Sequence, residues 1–194
     1  MTVIHTTDDR KHLRRLAERI RSRRTTKLFL KQPVDRKLIL DAIEVARWAP
    51  NHHLTEPWHF YVLGSQKIQE SVDLTKVVVT EIKNAKLGEF KAECAAAIPG
   101  WLVVTCDKSD DELQQLEDYA SCACAIQNLM LYLSEAGVAT KWATGPITRD
   151  VRFYELLGAD PSAALVVGII WYGYPKITPT QARQDVSSII TETE

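Results

Sequence analysis

A chain of 194 residues suits one domain, 1–194, with a single core to which a partner can contribute. Its 45% hydrophobic and 25% charged residues, with eight Gly and eight Pro, exclude collagens, disulfide-dense toxins and disordered chains. The net charge of −1 conceals a split, because residues 10–31 hold ten of the 24 Lys and Arg but only one of the 25 Asp and Glu.

The spacing predicts a first helix over Asp8–Arg21, with Thr7 as cap and Leu13, Leu16, Ala17 and Ile20 as a narrow apolar stripe. A polar turn, Ser22–Lys27, follows. Asp35 can cap a second helix whose Leu38, Ala42, Val45 and Ala46 share a face, and Pro50 stops it. Asn51–Glu56 is too polar and turn-prone for a core element, and His59–Leu63 reads as a short strand closed by Gly64 and Ser65. Ile68, Val72, Thr75, Val79 and Ile82 then step at helical intervals.

Ala97–Cys106 is a second strand, in which Pro99 and Gly100 fit a beginning or an edge. The clearest helix is Asp110–Ala136, with Leu113, Leu116, Ala120, Ala123, Ile126, Met130 and Leu133 on one face and Gly137 as its stop. A strand (Lys141–Ala143), a short helix (Arg149–Leu157) and an apolar strand (Ala163–Trp171) follow; Val186, Ile189 and Ile190 in the tail can form a last strand or an extension. Helices and strands interleave without strict βαβ alternation, so an α+β fold is expected.

Ala163–Tyr174, the longest apolar stretch, is far short of the ~20 residues that cross a bilayer. No apolar run follows Met1, and Asp8 and Asp9 do not suit an organelle transit peptide, so a cytoplasmic protein is expected. Cys94, Cys106, Cys122 and Cys124 are expected to be core thiols, since four in a chain of this length make no disulfide framework.

Neither a dinucleotide-binding GxGxxG nor a GxxxxGK[ST] loop occurs, and GxSxG and HExxH are absent too. His52, His53 and His59 lie near Glu56, but adjacent imidazoles diverge and Pro57 favours an extended Glu56, so no metal site is expected. The basic segment contains one aromatic, Phe29, in an otherwise acidic chain, which argues against nucleic acid and for solvated helix charges. Arg23, Arg24, Thr25, Thr26 and Lys27 combine fork donors, hydroxyls and a point charge, a set suited to a small phosphate.

The run ArgArgThrThrLysLeuPhe (23–29), then Pro33-Val34, AlaArgTrpAlaPro (46–50) and GluProTrpHisPhe (56–60), resembles the opening of the nitroreductase family of flavin enzymes. Residues 139–175, ending in TrpTyrGlyTyrPro (171–175), resemble its C-terminal half, and Arg183 lies where the family has a basic tail residue. The resemblance implies a three-layer sandwich, a mixed or antiparallel sheet flanked by helices, in an intertwined homodimer with FMN at the subunit interface. It implies that Arg23, Arg24, Thr25 and Lys27 hold FMN from one chain, with Arg23 and Arg183 at the phosphate and Lys27 at the pyrimidine edge. It further implies that Pro50, Asn51, His52 and Glu56 contact the ring from the other chain and that Trp142, Ala143, Thr144 and Gly145 line it near N5.

Two residues depart from the family pattern: Glu56 replaces the usual Gln and Leu54 a small polar residue. The implied activity is hydride transfer from NADH or NADPH through FMN to a small oxidant, a nitroaromatic or quinone, in a ping-pong cycle with no catalytic side chain. The alternatives are a flavin-binding or dimeric module without activity, or dehydrogenation or dehalogenation on the same fold.

Overall fold

A computed structural model describes residues 7–193. Six helices, α1 (Thr7–Ser22), α2 (Arg36–Ala46), α3 (Ser65–Ile82), α4 (Ala85–Ala96), α5 (Glu112–Glu135) and α6 (Val151–Leu157), accompany four strands: β1 (Trp58–Val62), β2 (Gly100–Asp107), β3 (Ala139–Ala143) and β4 (Ala164–Gly173). The strands form one antiparallel sheet in the order β1-β2-β4-β3. Alternation along β2 sends Leu102, Val104 and Cys106 into a core with α2 and α5, and Trp101 and Val103 into a second core with residues of α3, α4 and α6. A bulge between Val104 and Thr105 shifts the register, so that Val166 and Ile169 share the second core although their spacing is odd. Helices thus cover both faces of the sheet, giving the three layers expected.

Most elements lie where the sequence places them. Asp35 caps α2 by accepting from Lys37 N at 2.9 Å, β2 begins at Gly100 inside the sheet rather than at an edge, and Gly137 (φ 75°) ends α5. The helix α1 begins at Thr7 itself, and the expected cap there lies outside the described side chains.

Other expectations differ. Along α5 the buried face is Asp118, Ser121, Cys122, Ala125, Ile126, Leu129, Met130 and Leu133, while Leu113 and Leu116 are each 66% exposed. Cys106 and Cys122 are core thiols, but Cys94 and Cys124 are exposed. In place of a last strand the tail forms a short 3₁₀ turn, Val186–Ile189, whose apolar side chains are exposed. Among the described residues no helix is long and apolar enough to cross a membrane, and no group of three side chains is arranged to hold a metal.

Candidate functional site

The basic turn leaves α1 and lies against the edge strand β3, where Thr26 N donates to Thr140 O at 3.1 Å and Thr25 bridges Thr140 in parallel fashion. Thr26 is buried by this pairing and Thr25 exposed. The Arg24 guanidinium turns onto the carbonyls of Arg21 and, at 2.8 Å, Arg23, satisfying acceptors left open at the end of α1. Burial, followed by repulsion from Arg24 and Arg183, pushes the Arg23 pKa down. The charge of Arg183 in the tail thus reaches Arg23, and among the described residues none of Arg23, Arg24 and Arg183 has a carboxylate within 4.0 Å.

A cavity of about 240 Å³ opens beside them, lined by Arg19, Arg23, Arg24, Thr26, Thr140 and Thr178 among others. Thr140 is among its lining residues, and the buried Thr140 hydroxyl has no hydrogen-bond partner. Unpaired cations and an unsatisfied hydroxyl are the donor set that a phosphate on a polyol chain requires, so the residues present fit FMN.

Beyond Thr140, the Trp142 Nε1 donates to Val167 O at 3.2 Å, and the indole lies over Gly168, where a Cβ would stand 2.2 Å from Nε1. The Trp142 side chain is thus committed to the sheet, and its segment offers main chain from Ala143 to Gly145. Thr144 is exposed, and Gly145 O accepts from both N (3.0 Å) and Oγ1 (2.9 Å) of Thr148, which folds the chain into a 3₁₀ turn at Pro146–Arg149.

One cation here was not singled out by sequence. Lys141 stands opposite Trp171 in the β3–β4 register with Nζ 4.3 Å from the ring centroid. Burial, then Lys27 and Lys91, pushes its pKa down, with Cys94 opposing.

A different network builds the loop before β1. Asn51 Oδ1 accepts from Glu56 N at 2.7 Å, and Asn51 Nδ2 donates to Thr55 Oγ1 (2.9 Å) and Ser121 Oγ (3.3 Å). Thr55 in turn donates to the buried Asp118 at 2.5 Å. These bonds hold three left-handed residues, His53 (φ 58°), Leu54 (φ 52°) and Glu56 (φ 45°). Glu56 is therefore not extended, because closing the Asn51 ring outweighs the preference set by Pro57. Nor do the adjacent imidazoles diverge: the left-handed turn at His53 stacks them at 3.8 Å, and His52 Nδ1 lies 2.7 Å from Glu117 Oε2. Asp118, Ser121 and Glu117 carry this loop from α5 and were not recognised in the sequence, which shows them as ordinary polar positions of a helix.

The structure sets Arg23, Arg24 and Thr25 in one turn against Thr140, with Arg183 acting on Arg23 and Lys27 on Lys141 through their charges, while Trp142–Gly145 continue β3 away from Thr140 and Pro50, Asn51, His52 and Glu56 lie elsewhere. The turn flanks β3, whereas the loop enters β1 at the opposite edge, roughly 14 Å across the sheet. They also differ along the strands: Thr140 aligns through Tyr172 with Gly100, whereas Trp58 pairs with Cys106. One copy carries the two groups at diagonally opposite corners.

Comparison with known proteins agrees with the fold. The model of the nitroreductase family matches residues 20–174. The chain is 32% identical over 169 residues to a protein of Bacillus subtilis provisionally named NAD(P)H nitroreductase YfhC, covering 84% of this chain and 86% of that one. The crystal structure of a nitroreductase-like family protein from Bacillus cereus superposes with a TM-score of 0.82 at 27% identity, covering 100% of this chain and 99% of that one. A nitroreductase with bound FMN from Bacteroides fragilis shares the fold at a TM-score of 0.74 and 22% identity, covering 92% and 98%.

Proposed function

Because this chain belongs to the nitroreductase family, we propose that it is an FMN-dependent oxidoreductase using NADH or NADPH. The observation that carries the reading is that Arg23 and Arg24, without an acid within 4.0 Å among the described residues, line a cavity with Thr140, whose buried hydroxyl is unsatisfied. Bound there, FMN would supply the two-electron redox chemistry that links NADH or NADPH to a small oxidant such as a nitroaromatic or quinone in a ping-pong cycle.

The chain's own residues bind, orient and set the field. Arg23 and Arg183 hold the phosphate, with Arg24 fixing the turn and Thr25 and Lys27 completing the grip. Lys27 lies at the pyrimidine edge, where a cation stabilises added negative charge. The main chain of Trp142, Ala143, Thr144 and Gly145 lines the ring near N5.

Pro50, Asn51, His52 and Glu56 come from a second copy, which supplies what the diagonal placement denies to one. The working unit is thus a homodimer in the cytoplasm, each chain a single FMN-binding domain over residues 1–194. An ionised Glu56 disfavours added negative charge on the ring, whereas a protonated one donates as an amide does.

The test is the visible spectrum of purified protein, with FMN added if needed, before and after anaerobic NADPH or NADH. A flavin spectrum bleached by either nucleotide is expected. Absence of flavin binding overturns the reading, and a bound flavin that neither nucleotide reduces points to a binding module. Arg23→Ala should weaken FMN by about 1.5–3 kcal/mol, the worth of a charge-assisted hydrogen bond, while Arg14→Ala should leave the affinity nearly unchanged.

A further inference from the structure

We propose that Asp118 is a positioning residue of the flavin site: from α5 it sets, through the Thr55 hydroxyl, which way the Asn51 amide points, and so shapes the loop 51–56 that a second copy offers to the ring. The inference rests on the function proposed above.

Asp118 is 4% exposed, and among the described residues no Lys, Arg or His nitrogen lies within 4.0 Å of its carboxylate. Burying an acid without a counter-cation costs stability, and what this one obtains is direction. The Thr55 hydroxyl gives its hydrogen to Asp118 Oδ1 at 2.5 Å, which leaves its oxygen to accept from Asn51 Nδ2 at 2.9 Å. Ser121 repeats the arrangement along α5: its hydroxyl donates to Glu117 O at 2.9 Å, and its oxygen accepts from the same Nδ2 at 3.3 Å. The Asn51 amide therefore turns its NH₂ towards two hydroxyls whose own hydrogens are already committed, and Oδ1 is left to accept from Glu56 N at 2.7 Å.

That last bond closes the loop. His53, Leu54 and Glu56 are left-handed at φ 58°, 52° and 45° with no glycine among them, a conformation that persists only where the surroundings over-determine it. With the amide reversed, Nδ2 would meet Glu56 N donor to donor, and the bond that fixes the loop would be lost.

The experiment compares wild type, Asp118→Leu, Asp118→Asn and Thr55→Val as full chains, measuring hydrogen exchange at the Glu56 amide without flavin and the affinity for added FMN. Leu keeps the forked shape of Asp without its oxygens. Asp118→Leu should speed exchange at Glu56 about tenfold or more while the amides of β2 stay protected, and should weaken FMN by a similar factor, as loss of a hydrogen bond to a charged group does. Asp118→Asn retains an oxygen for Thr55 to donate to and should recover most of both. Thr55→Val removes only the hydroxyl through which Asp118 acts; it should reproduce both losses, and it carries the comparison if Asp118→Leu does not fold.

Unchanged exchange at Glu56 overturns the inference, as does faster exchange at unchanged FMN affinity, which would make Asp118 a loop anchor with no part in the site. Failure of Asp118→Asn to recover either measure also overturns it, by assigning Asp118 to charge alone. A wild-type chain that takes up no FMN overturns the proposed function and the inference with it, whereas a wild-type chain that binds FMN while Asp118→Leu binds it equally well overturns the inference alone.

Discussion

Gly168 directs the edge of the sheet through the side chain it lacks. The Trp142 indole occupies that space and reaches Val167 O, which fixes the outward course of Ala143–Gly145. Gly168→Ala places a methyl 2.2 Å from Trp142 Nε1 and 3.1 Å from Ala143 O, so either the indole or β3 must move. We expect a loss of about 1–3 kcal/mol, typical of overpacking, in a denaturant titration, with weaker FMN retention.

The same scale marks where sequence reading stops. Arg23, Lys27 and Asn51 stand in local motifs, so the sequence alone singles them out as candidates. Lys141 and Asp118 take their roles from Trp171 and Thr55, remote in sequence, and neither has an adjacent signature. The resemblance offers Asn51 as a ligand contact, whereas its three bonds to Glu56, Thr55 and Ser121 depend on a loop conformation the sequence does not specify.

Among elements, legibility followed large apolar residues at regular intervals. The helix α4 escaped notice because it buries small residues: Gly88, Ala92 and Ala95. A Cβ at Gly88 would stand 2.1 Å from Thr80 Oγ1, so α3 and α4 approach through an absence of side chain that carries no hydrophobic period. In α5, by contrast, apolar residues occupy two faces, and the chosen stripe mixed the one against the sheet with the one exposed at Leu113 and Leu116.

The junction of α3 and α6 depends on charge. Asp150 caps α6 through Arg152 N at 3.0 Å and binds the Arg152 side chain, which also reaches Glu81 of α3 at 2.7 Å. Hydrogen bonding to Arg152 holds the Asp150 carboxyl below its ordinary pKa. A depressed carboxyl stabilises the fold above its unfolded pKa, about 3.9, and that contribution is lost as pH falls through the folded value. Thermal melts should thus weaken on acidification below about pH 4, and Asp150→Asn should lower neutral-pH stability while flattening that acid slope.

For the whole molecule, the described surface carries exposed apolar side chains near both ends of the chain. Leu13, Leu16 and Ile20 of α1 are 60%, 55% and 49% exposed, and Val186 and Ile189 of the tail are exposed too. Two of the α1 arginines expected to be solvated make ion pairs: Arg15 meets Glu135 of α5 at 2.8 Å, and Arg19 pairs with the same carboxylate. The sequence showed the apolar stripe but not that α5 would leave it uncovered.

The proposed sharing of each site between two chains makes a specific prediction for mixed dimers. Arg23→Ala and Asn51→Ala chains should each bind FMN poorly alone. When unfolded and refolded together, they should regain tight binding in one site of each mixed dimer, because one site then collects both defects and the other neither. Fluorescence titration of the mixture checks this, and no recovery would mean that each site is built within one chain.

The diagonal separation of turn and loop has a consequence in mass action. In the dimer proposed above, a flavin held by the turn of one copy and the loop of the other would also be a crosslink, so each flavin bound would lower the free energy of association and each dissociation of the pair would release flavin. Saturation at a hundredfold excess over Kd contributes about 2.7 kcal/mol to the dimer for each site filled. Dilution and flavin scarcity then act as one variable, and a solution poor in FMN behaves as though it were poor in protein.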